Sequence, residues 1–460
     1  MDTHIVFDTE LIRKYDKAGP RYTSYPTAVQ FHEGFSEDSY RTLALSSNAG
    51  AKPLSLYFHI PFCDTVCFYC ACNKIVTKNH QRAAPYLDRL LQEIALQAAL
   101  FDRGRPVKQL HWGGGTPTFI SGAEMTRLTE VTREHFRLLE DDSGEYSIEI
   151  DPREVSESTI ALLRKLGFNR LSVGIQDFDP LVQRAVNRLQ SRQITLAAMA
   201  AARREGFKSV SVDLIYGLPH QTVARFGRTL DSVIAADPDR ISVFNYAHLP
   251  TLFRTQRQID ESALPAAMVK LDILRSVIEK LTAAGYVYIG MDHFAKPEDK
   301  LAKAQQEGTL YRNFQGYSTH ADCDLIALGI TAISQVGDSY SQNLKTLDEY
   351  YARIDSGRLP VFRGVVLDAD DRLRRAVIMQ LICHFRLDFS MLETRYGIVF
   401  ADYFARELDE LSEMHADDLL SLSDSGIAVR PRGRLLIRNI CMVFDRYLRQ
   451  HSTQRFSKVI

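Results

Sequence analysis

The 460 residues carry 56 Lys and Arg against 57 Asp and Glu, a formal charge of −1, which excludes the basic excess of a nucleic-acid-binding chain. Hydrophobic residues make up 45% and charged residues 25%, the balance of a globular protein with enough chain for a large core in about two or three domains. No apolar run approaches the ~18 residues of a membrane span, and Met1-Asp2-Thr3-His4 begins neither a basic nor an apolar signal region, so a cytoplasmic chain without a membrane or nucleic-acid partner is expected.

Residues 1–50 are expected to form an N-terminal arm. Pro20 and Pro26 flank Arg21-Tyr22-Thr23-Ser24-Tyr25; both prolines fix φ, so this stretch should be extended and packed on the body. From residue 54 short β-branched and aromatic runs alternate with helical patterns. The strands are expected at 54–60, 109–112, 146–150, 170–175, 209–216, 240–246 and 286–291. Between the first two, Leu87, Leu90, Leu91, Ile94 and Ala98 fall on one face of a helix. Similar patterns fill 123–137, 155–166, 193–206, 222–236 and 266–284. Strand then helix, repeated about six times, predicts an α/β fold with parallel strands. Six units rather than eight leave a (β/α) barrel partial and open on one side. The barrel is expected over 51–365. Ser356-Gly357-Arg358-Leu359-Pro360 marks a boundary, and 366–460 should be a C-terminal helical domain. Its helix, short strand, helix pattern resembles a winged helix; with no basic excess behind it, a substrate-covering or structural role is expected.

Seven cysteines are present, four of them between Cys63 and Cys72. An odd number clustered this way argues for metal or redox chemistry rather than a disulfide framework. Cys63, Cys67 and Cys70 have the spacing C-x3-C-x2-C on a loop after the first strand. Three thiolates on one loop can bind three irons of a [4Fe–4S] cubane and leave the fourth iron open. S-Adenosylmethionine (SAM) can chelate that iron, and an electron from the cluster can then cleave its sulfonium to a 5′-deoxyadenosyl radical. A zinc site would want a second ligand pair, whereas Cys323, Cys383 and Cys441 are isolated. Cys72 is a spare ligand, a packed thiol or a group acting near the substrate; the completed cluster set favours the last. Gly113-Gly114-Gly115-Thr116-Pro117 ends the second strand. Glycines there let backbone approach a ligand closely, a candidate seat for the SAM amino group. Glu149, Gln176 and Asp213 are polar groups near strand ends, where a barrel places its active site.

Together these pieces resemble one family. They include Tyr57-Phe58-His59-Ile60-Pro61-Phe62-Cys63, the C-x3-C-x2-C-x-C loop, His111-Trp112-Gly113-Gly114-Gly115-Thr116-Pro117-Thr118 and Glu149-Ile150-Asp151-Pro152-Arg153-Glu154. Further on come Gly174-Ile175-Gln176-Asp177-Phe178, Asp213-Leu214-Ile215-Tyr216-Gly217-Leu218-Pro219 and Asn313-Phe314-Gln315-Gly316-Tyr317. The sequence resembles the oxygen-independent coproporphyrinogen III oxidases of haem biosynthesis over nearly its whole length. The resemblance implies a partial (β/α)6 radical SAM barrel with a C-terminal helical domain. It implies a [4Fe–4S] cluster on Cys63, Cys67 and Cys70, and two SAM molecules. Tyr57, Gly114, Glu149 and Ile333 would line the cluster-bound SAM. Tyr69, Gly115, Thr116, Gln176, Arg188, Asp213 and Ala247 would line the second. Cys72 and Glu149 are the candidate catalytic groups, and His320 receives no role.

The implied reaction converts the ring A and B propionates of coproporphyrinogen III to vinyl groups with loss of CO2, giving protoporphyrinogen IX. A flavodoxin-type reductant and a monomeric chain are expected. Arg21, Tyr22 and Tyr25 would belong to a lid over the substrate. The rival is a haem-binding relative that carries H-N-x-x-Y-W; the only tryptophan here is Trp112, inside the glycine motif.

Overall fold

The computed structural model, which describes residues 4–450, places six expected strands side by side. They are β1 (Leu54–Ile60), β2 (Pro106–Gly114), β3 (Glu145–Ile150), β4 (Arg170–Gln176), β5 (Ser209–Tyr216) and β6 (Arg240–Asn245), each parallel to the next in chain order. The crossovers hold α1 (Ala84–Ala98), α2 (Gly122–His135), α3 (Glu157–Lys165), α4 (Arg192–Arg204) and α5 (Val223–Ala235). Each helix start has a local cause. Ser121 and Glu124 cap α2 reciprocally, and Ser156 and Thr159 do the same for α3, satisfying first-turn N–H groups that lack intrahelical partners.

The strands read with period two. In β4, Leu171, Val173 and Ile175 are buried while Ser172, Gly174 and Gln176 are partly exposed; in β5, Val210, Val212 and Leu214 alternate with Ser211, Asp213 and Ile215. The apolar face packs against the crossover helices, α4 lying on both strands. The small and polar face is left for the lumen.

On its other side β1 pairs with β7 (Asp324–Leu328), again in parallel. Antiparallel strands β8 (Ile333–Val336), β9 (Ser339–Asn343) and β10 (Val361–Val366) continue the sheet. The sequence patterns did not announce these four, because β7 and β9 are buried on both faces and lack alternation. The strand expected at 286–291 is the first half of a short antiparallel hairpin, Val287–Gly290 with His293–Ala295.

The chain divides into two units. One holds Phe31–Ile273 and Asp322–Val366 and contains the barrel strands; the other holds the described residues up to Gln30, Leu274–Ala321 and the described residues from Leu367. The expected arm of 1–50 is thus shared between units, and the expected barrel range 51–365 gives up 274–321. In the second unit helix Ala369–His384 accompanies a three-stranded antiparallel sheet of Arg386–Asp388, Gly426–Val429 and Leu420–Ser423, so this region is helical with a small sheet.

Tyr22 and Tyr25 lie inside that second unit, 1% and 0% exposed. The Tyr22 hydroxyl donates to Asp445 at 3.0 Å, the Arg446 N–H donates to the Tyr25 hydroxyl, and Arg438 donates to the carbonyls of Gly19 and Pro20. Arg21 pairs with Asp292. These contacts correct the reading of the tyrosines as lid groups: their rings are core and their hydroxyls are committed. Among the described residues no helix is long and apolar enough to cross a membrane.

Candidate active site

The cysteine loop is strapped down from both sides. After β1, Phe62–Cys63 pairs in parallel with Ile75–Val76; the Ile75 N–H donates to Pro61 O at 2.7 Å and the Thr77 N–H to Cys63 O at 2.9 Å. On the far side the Phe68 N–H reaches Val186 O, Asn187 Nδ2 reaches Val66 O at 2.7 Å, and Gln256 Nε2 reaches Tyr69 O. Thr255 and Lys74 both donate to Cys70 O. The backbone is held by these bonds, and the thiols of Cys63, Cys67, Cys70 and Cys72 are left to line one cavity. All four are free cysteines. Burial pushes Cys63 up to about 11. The Cys72 hydrogen bond, together with Lys74, pulls Cys70 down, while Cys72 is held well up by that same bond and by desolvation.

Cationic and polar donors surround the sulfur atoms. Arg188 Nη1 lies 3.6 Å from Cys67 Sγ, Arg153 Nη2 lies 3.7 Å from the same atom, and the Thr116 hydroxyl lies 3.6 Å from Cys63 Sγ. Both arginines are fixed by one carboxylate: Asp151 Oδ2 accepts from Arg188 at 2.9 Å and from Arg153 at 2.6 Å. Burial alone would raise Asp151, but the two guanidinium groups hold it below the usual carboxylate range. Arg188 Nε is buried without a partner. Three thiols on one loop, faced by positive donors and one unsatisfied N–H, fit a thiolate-bound iron–sulfur cluster of net negative charge.

The glycine run is required by geometry. A Cβ on Gly113 would stand 3.0 Å from the Glu149 carboxyl, and one on Gly115 would stand 2.6 Å from Phe62 O. Gly114 has φ +117°, and its Cβ would meet the His59 ring at 2.8 Å; an L side chain would be strained there whatever the space. The Gly114 N–H and His111 Nε2 approach the two Glu149 oxygens at 3.3 and 3.1 Å. Desolvation opposes ionisation of Glu149, but the His111 hydrogen bond, that ring's charge and the Gly114 amide more than offset it, so Glu149 stays low. Asp213, bonded to the Ser172 hydroxyl at 3.1 Å, is pushed up to about 6 by burial and then by the charge of Glu149. Gln176 has φ +65° at a register shift between β4 and β5, an irregularity that re-aims its side chain.

The cavity gathers most of the residues expected from sequence. Cys63, Cys67, Cys70, Cys72, Tyr69, Gly114, Gly115, Thr116, Glu149, Gln176, Arg188 and Asp213 all line it. Three do not. Tyr57 stands behind, its ring stacked on His111 at 5.8 Å. Ala247 contributes its carbonyl to Gln256 Nε2, the group that also holds Tyr69 O. Ile333 opens β8 on the far side of β7. Sequence reasoning gave no role to Asp151, Arg153 or His111. The alternation of Gln109, His111 and Gly113 along β2 could have placed His111 on the lumen face; nothing local could have paired Asp151 with Arg188.

Residues 57–233 match the Radical SAM superfamily and residues 367–436 match the HemN C-terminal domain. The chain is 55% identical over 461 residues to the oxygen-independent coproporphyrinogen III oxidase of Pseudomonas aeruginosa, with 100% of each chain covered. The chain belongs to the oxygen-independent coproporphyrinogen III oxidase family. The Escherichia coli oxidase of that name is 52% identical over 457 residues, with 99% of each chain covered. A solved structure of coproporphyrinogen III oxidase (HemN) from E. coli, described as a radical SAM enzyme, superposes with a TM-score of 0.93 at 50% identity over 97% of this chain and 100% of that one. As a member of the coproporphyrinogen III oxidase family, the chain is a radical SAM enzyme whose cofactors are a [4Fe–4S] cluster and SAM. The lining residues all fall within the stretch that matches the superfamily.

Proposed function

We propose that this chain converts coproporphyrinogen III to protoporphyrinogen IX by oxygen-independent oxidative decarboxylation of the ring A and B propionates to vinyl groups. The observation that carries this reading is the single cavity that holds three loop thiols, the glycine run and Glu149 in a full-length member of the oxidase family. In this reading Cys63, Cys67 and Cys70 hold the cluster. When bound there, the cluster with SAM would supply the radical hydrogen-abstraction chemistry that the decarboxylation needs.

The protein's own groups bind, orient and hold protons. Glu149, ionised beside His111, presents an acceptor for the SAM amino and hydroxyl donors, with Gly114, Tyr57 and Ile333 around the same molecule. A second SAM is assigned to Tyr69, Gly115, Thr116, Gln176, Arg188, Asp213 and Ala247. Arg188 and Arg153 balance the negative charge at Cys67. Cys72 lines the same cavity as the three cluster thiols, which suits a group acting next to the substrate. The electron comes from a flavodoxin-type donor in the cytoplasm, and the chain works as a monomer.

The test is anaerobic reconstitution followed by dithionite, SAM and coproporphyrinogen III, with protoporphyrin quantified after oxidation alongside 5′-deoxyadenosine. Both products are expected, and neither with Cys67→Ala. Deoxyadenosine without protoporphyrin would reject the substrate. Neither product from a fully loaded protein would favour a haem carrier.

A further inference from the structure

A cluster that works by one-electron reduction needs an entry point for the electron. The segment after the cysteine loop lies against the first cluster cysteine. Val76 pairs with Cys63 across the two short strands, and the Thr77 N–H is bonded to Cys63 O. His80 Nε2 lies 3.1 Å from Asp64, the residue that follows Cys63, and its ring stacks on Phe119 at 4.2 Å. The outer face of this strap is accessible: Val76 is 42% exposed, and Lys78, Asn79, His80, Gln81 and Arg82 are all exposed.

Its charge is one-sided. From Thr65 through Leu87 there is no Asp or Glu, while Lys74, Lys78 and Arg82 recur every fourth residue, in a chain whose overall charge is −1. Lys74 is turned inward onto Cys70 O. Lys78 and Arg82 form no ion pair among the described residues. The carboxylate on the loop itself, Asp64, lies 3.1 Å from His80 Nε2 and also faces Glu154. Cations without an ion pair on the same exposed segment as Val76, one strand pair from a cluster ligand, form a surface complementary to a partner with carboxylates around an apolar redox edge.

We infer that the Val76–Arg82 strap is the docking surface for an acidic flavodoxin-type protein that delivers one electron to the cluster. One electron leaves the flavin hydroquinone, which becomes the semiquinone; the cluster gains it, and the flavin sheds the accompanying proton to solvent. The inference rests on the radical SAM reading of the cavity and names the partner of that site. Lys78 and Arg82 steer and hold the donor; neither touches the cavity.

The experiment compares wild type with Lys78→Glu/Arg82→Glu, and with Lys52→Glu/Lys165→Glu, which makes the same charge change beside the opening ends of β1 and β4. Each reconstituted protein is mixed anaerobically with photoreduced flavodoxin, and cluster reduction is followed by absorbance and EPR; flavodoxin affinity is measured separately by titration. The strap variant should be reduced at least about tenfold more slowly, bind more weakly and lose most of the salt dependence. Its iron content and its reduction by dithionite should match wild type, and the control pair should behave as wild type. Equal flavodoxin rates and affinities in strap variant and wild type, or an equal loss in the control pair, would overturn the docking surface. A wild type that is reduced normally by both donors yet forms no protoporphyrin would reject the proposed reaction and leave the docking result standing.

Discussion

Asp151 and Glu93 are both buried carboxyl groups of the barrel unit, 7% and 0% exposed, yet their surroundings differ in kind. Asp151, just past the end of β3, is gripped by Arg153 and Arg188 and held below the usual range. Glu93, on α1, has only neutral donors: the Tyr350 hydroxyl at 2.6 Å, Asn343 Nδ2 at 2.8 Å and the Gly329 N–H at 2.8 Å. Burial pushes it up to about 7. The difference separates two uses of a buried acid. Asp151 fixes two cations that also face a cluster cysteine, so it must be ionised. Glu93 ties α1 to the turn after β7 and to the helix Leu347–Asp355, and a hydrogen-bonding shape suffices.

The largest effect that would break this division is on the cluster itself. Cys67→Ala removes the thiol toward which both arginines point. Iron and sulfide content should fall well below wild type and protoporphyrin formation should fall to background. Glu93→Gln should retain full iron content; if it lost the cluster equally, the two acids would not be separable. Next comes Asp151→Asn. It leaves two largely buried guanidinium groups without their carboxylate, a loss on the order of 3 kcal/mol, read as a lower denaturation midpoint in the apoprotein.

The contrast also explains what the sequence could disclose. The cysteine spacing, the glycine run and the alternation in β4 and β5 are short-range patterns, so they led directly to the loop, the lumen face and most of the cavity. Strands β7 and β9 are buried without alternation and follow a long excursion of the chain into the second unit, so only the pairing of β7 with β1, and of β8 to β10 in turn, reveals this part of the sheet. Asp151 with Arg188, and Glu93 with Asn343 and Tyr350, join residues far apart in the chain. Their pairing is a product of topology, with no local spacing to mark it. Tyr22 and Tyr25 are hard to place for the same reason: an aromatic pair between prolines reads as a packed arm that could serve as a lid, and only the fold brings up the partners Asp445 and Arg446.

The pH dependence should have opposite signs at the two acids. In the unfolded chain Glu93 loses its proton near the ordinary 4.5, whereas in the fold it keeps it until about 7. Between those values the native state binds more protons, so this contribution is fully present below the lower value and is lost as pH rises through the upper one. The loss is about 3 kcal/mol. Asp151 acts the other way: its contribution is present above the ordinary 3.8 and is lost as pH falls through its depressed value. Glu93→Gln removes the first slope. Urea unfolding of the two proteins at about pH 5 and about pH 8 should show wild type losing ground to the variant as pH rises; a constant gap would place an ionised Glu93 in the fold.

The smallest effect extends the comparison to the second unit, where Asp445 repeats the arrangement of Glu93. It is 2% exposed, accepts from the Tyr22 hydroxyl and from the Tyr447 and Leu448 N–H groups, and is raised by burial. Tyr22→Phe removes one donor of three and keeps the ring that fills the core. The expected cost is about 1 kcal/mol of stability, with iron content and turnover unchanged. The Arg438 contacts to Gly19 and Pro20 do not involve this hydroxyl and should persist. A loss of turnover beyond about tenfold, which is about 1.4 kcal/mol in a barrier, with unchanged stability would instead mean that the hydroxyl serves the substrate, and the lid reading of the arm would return.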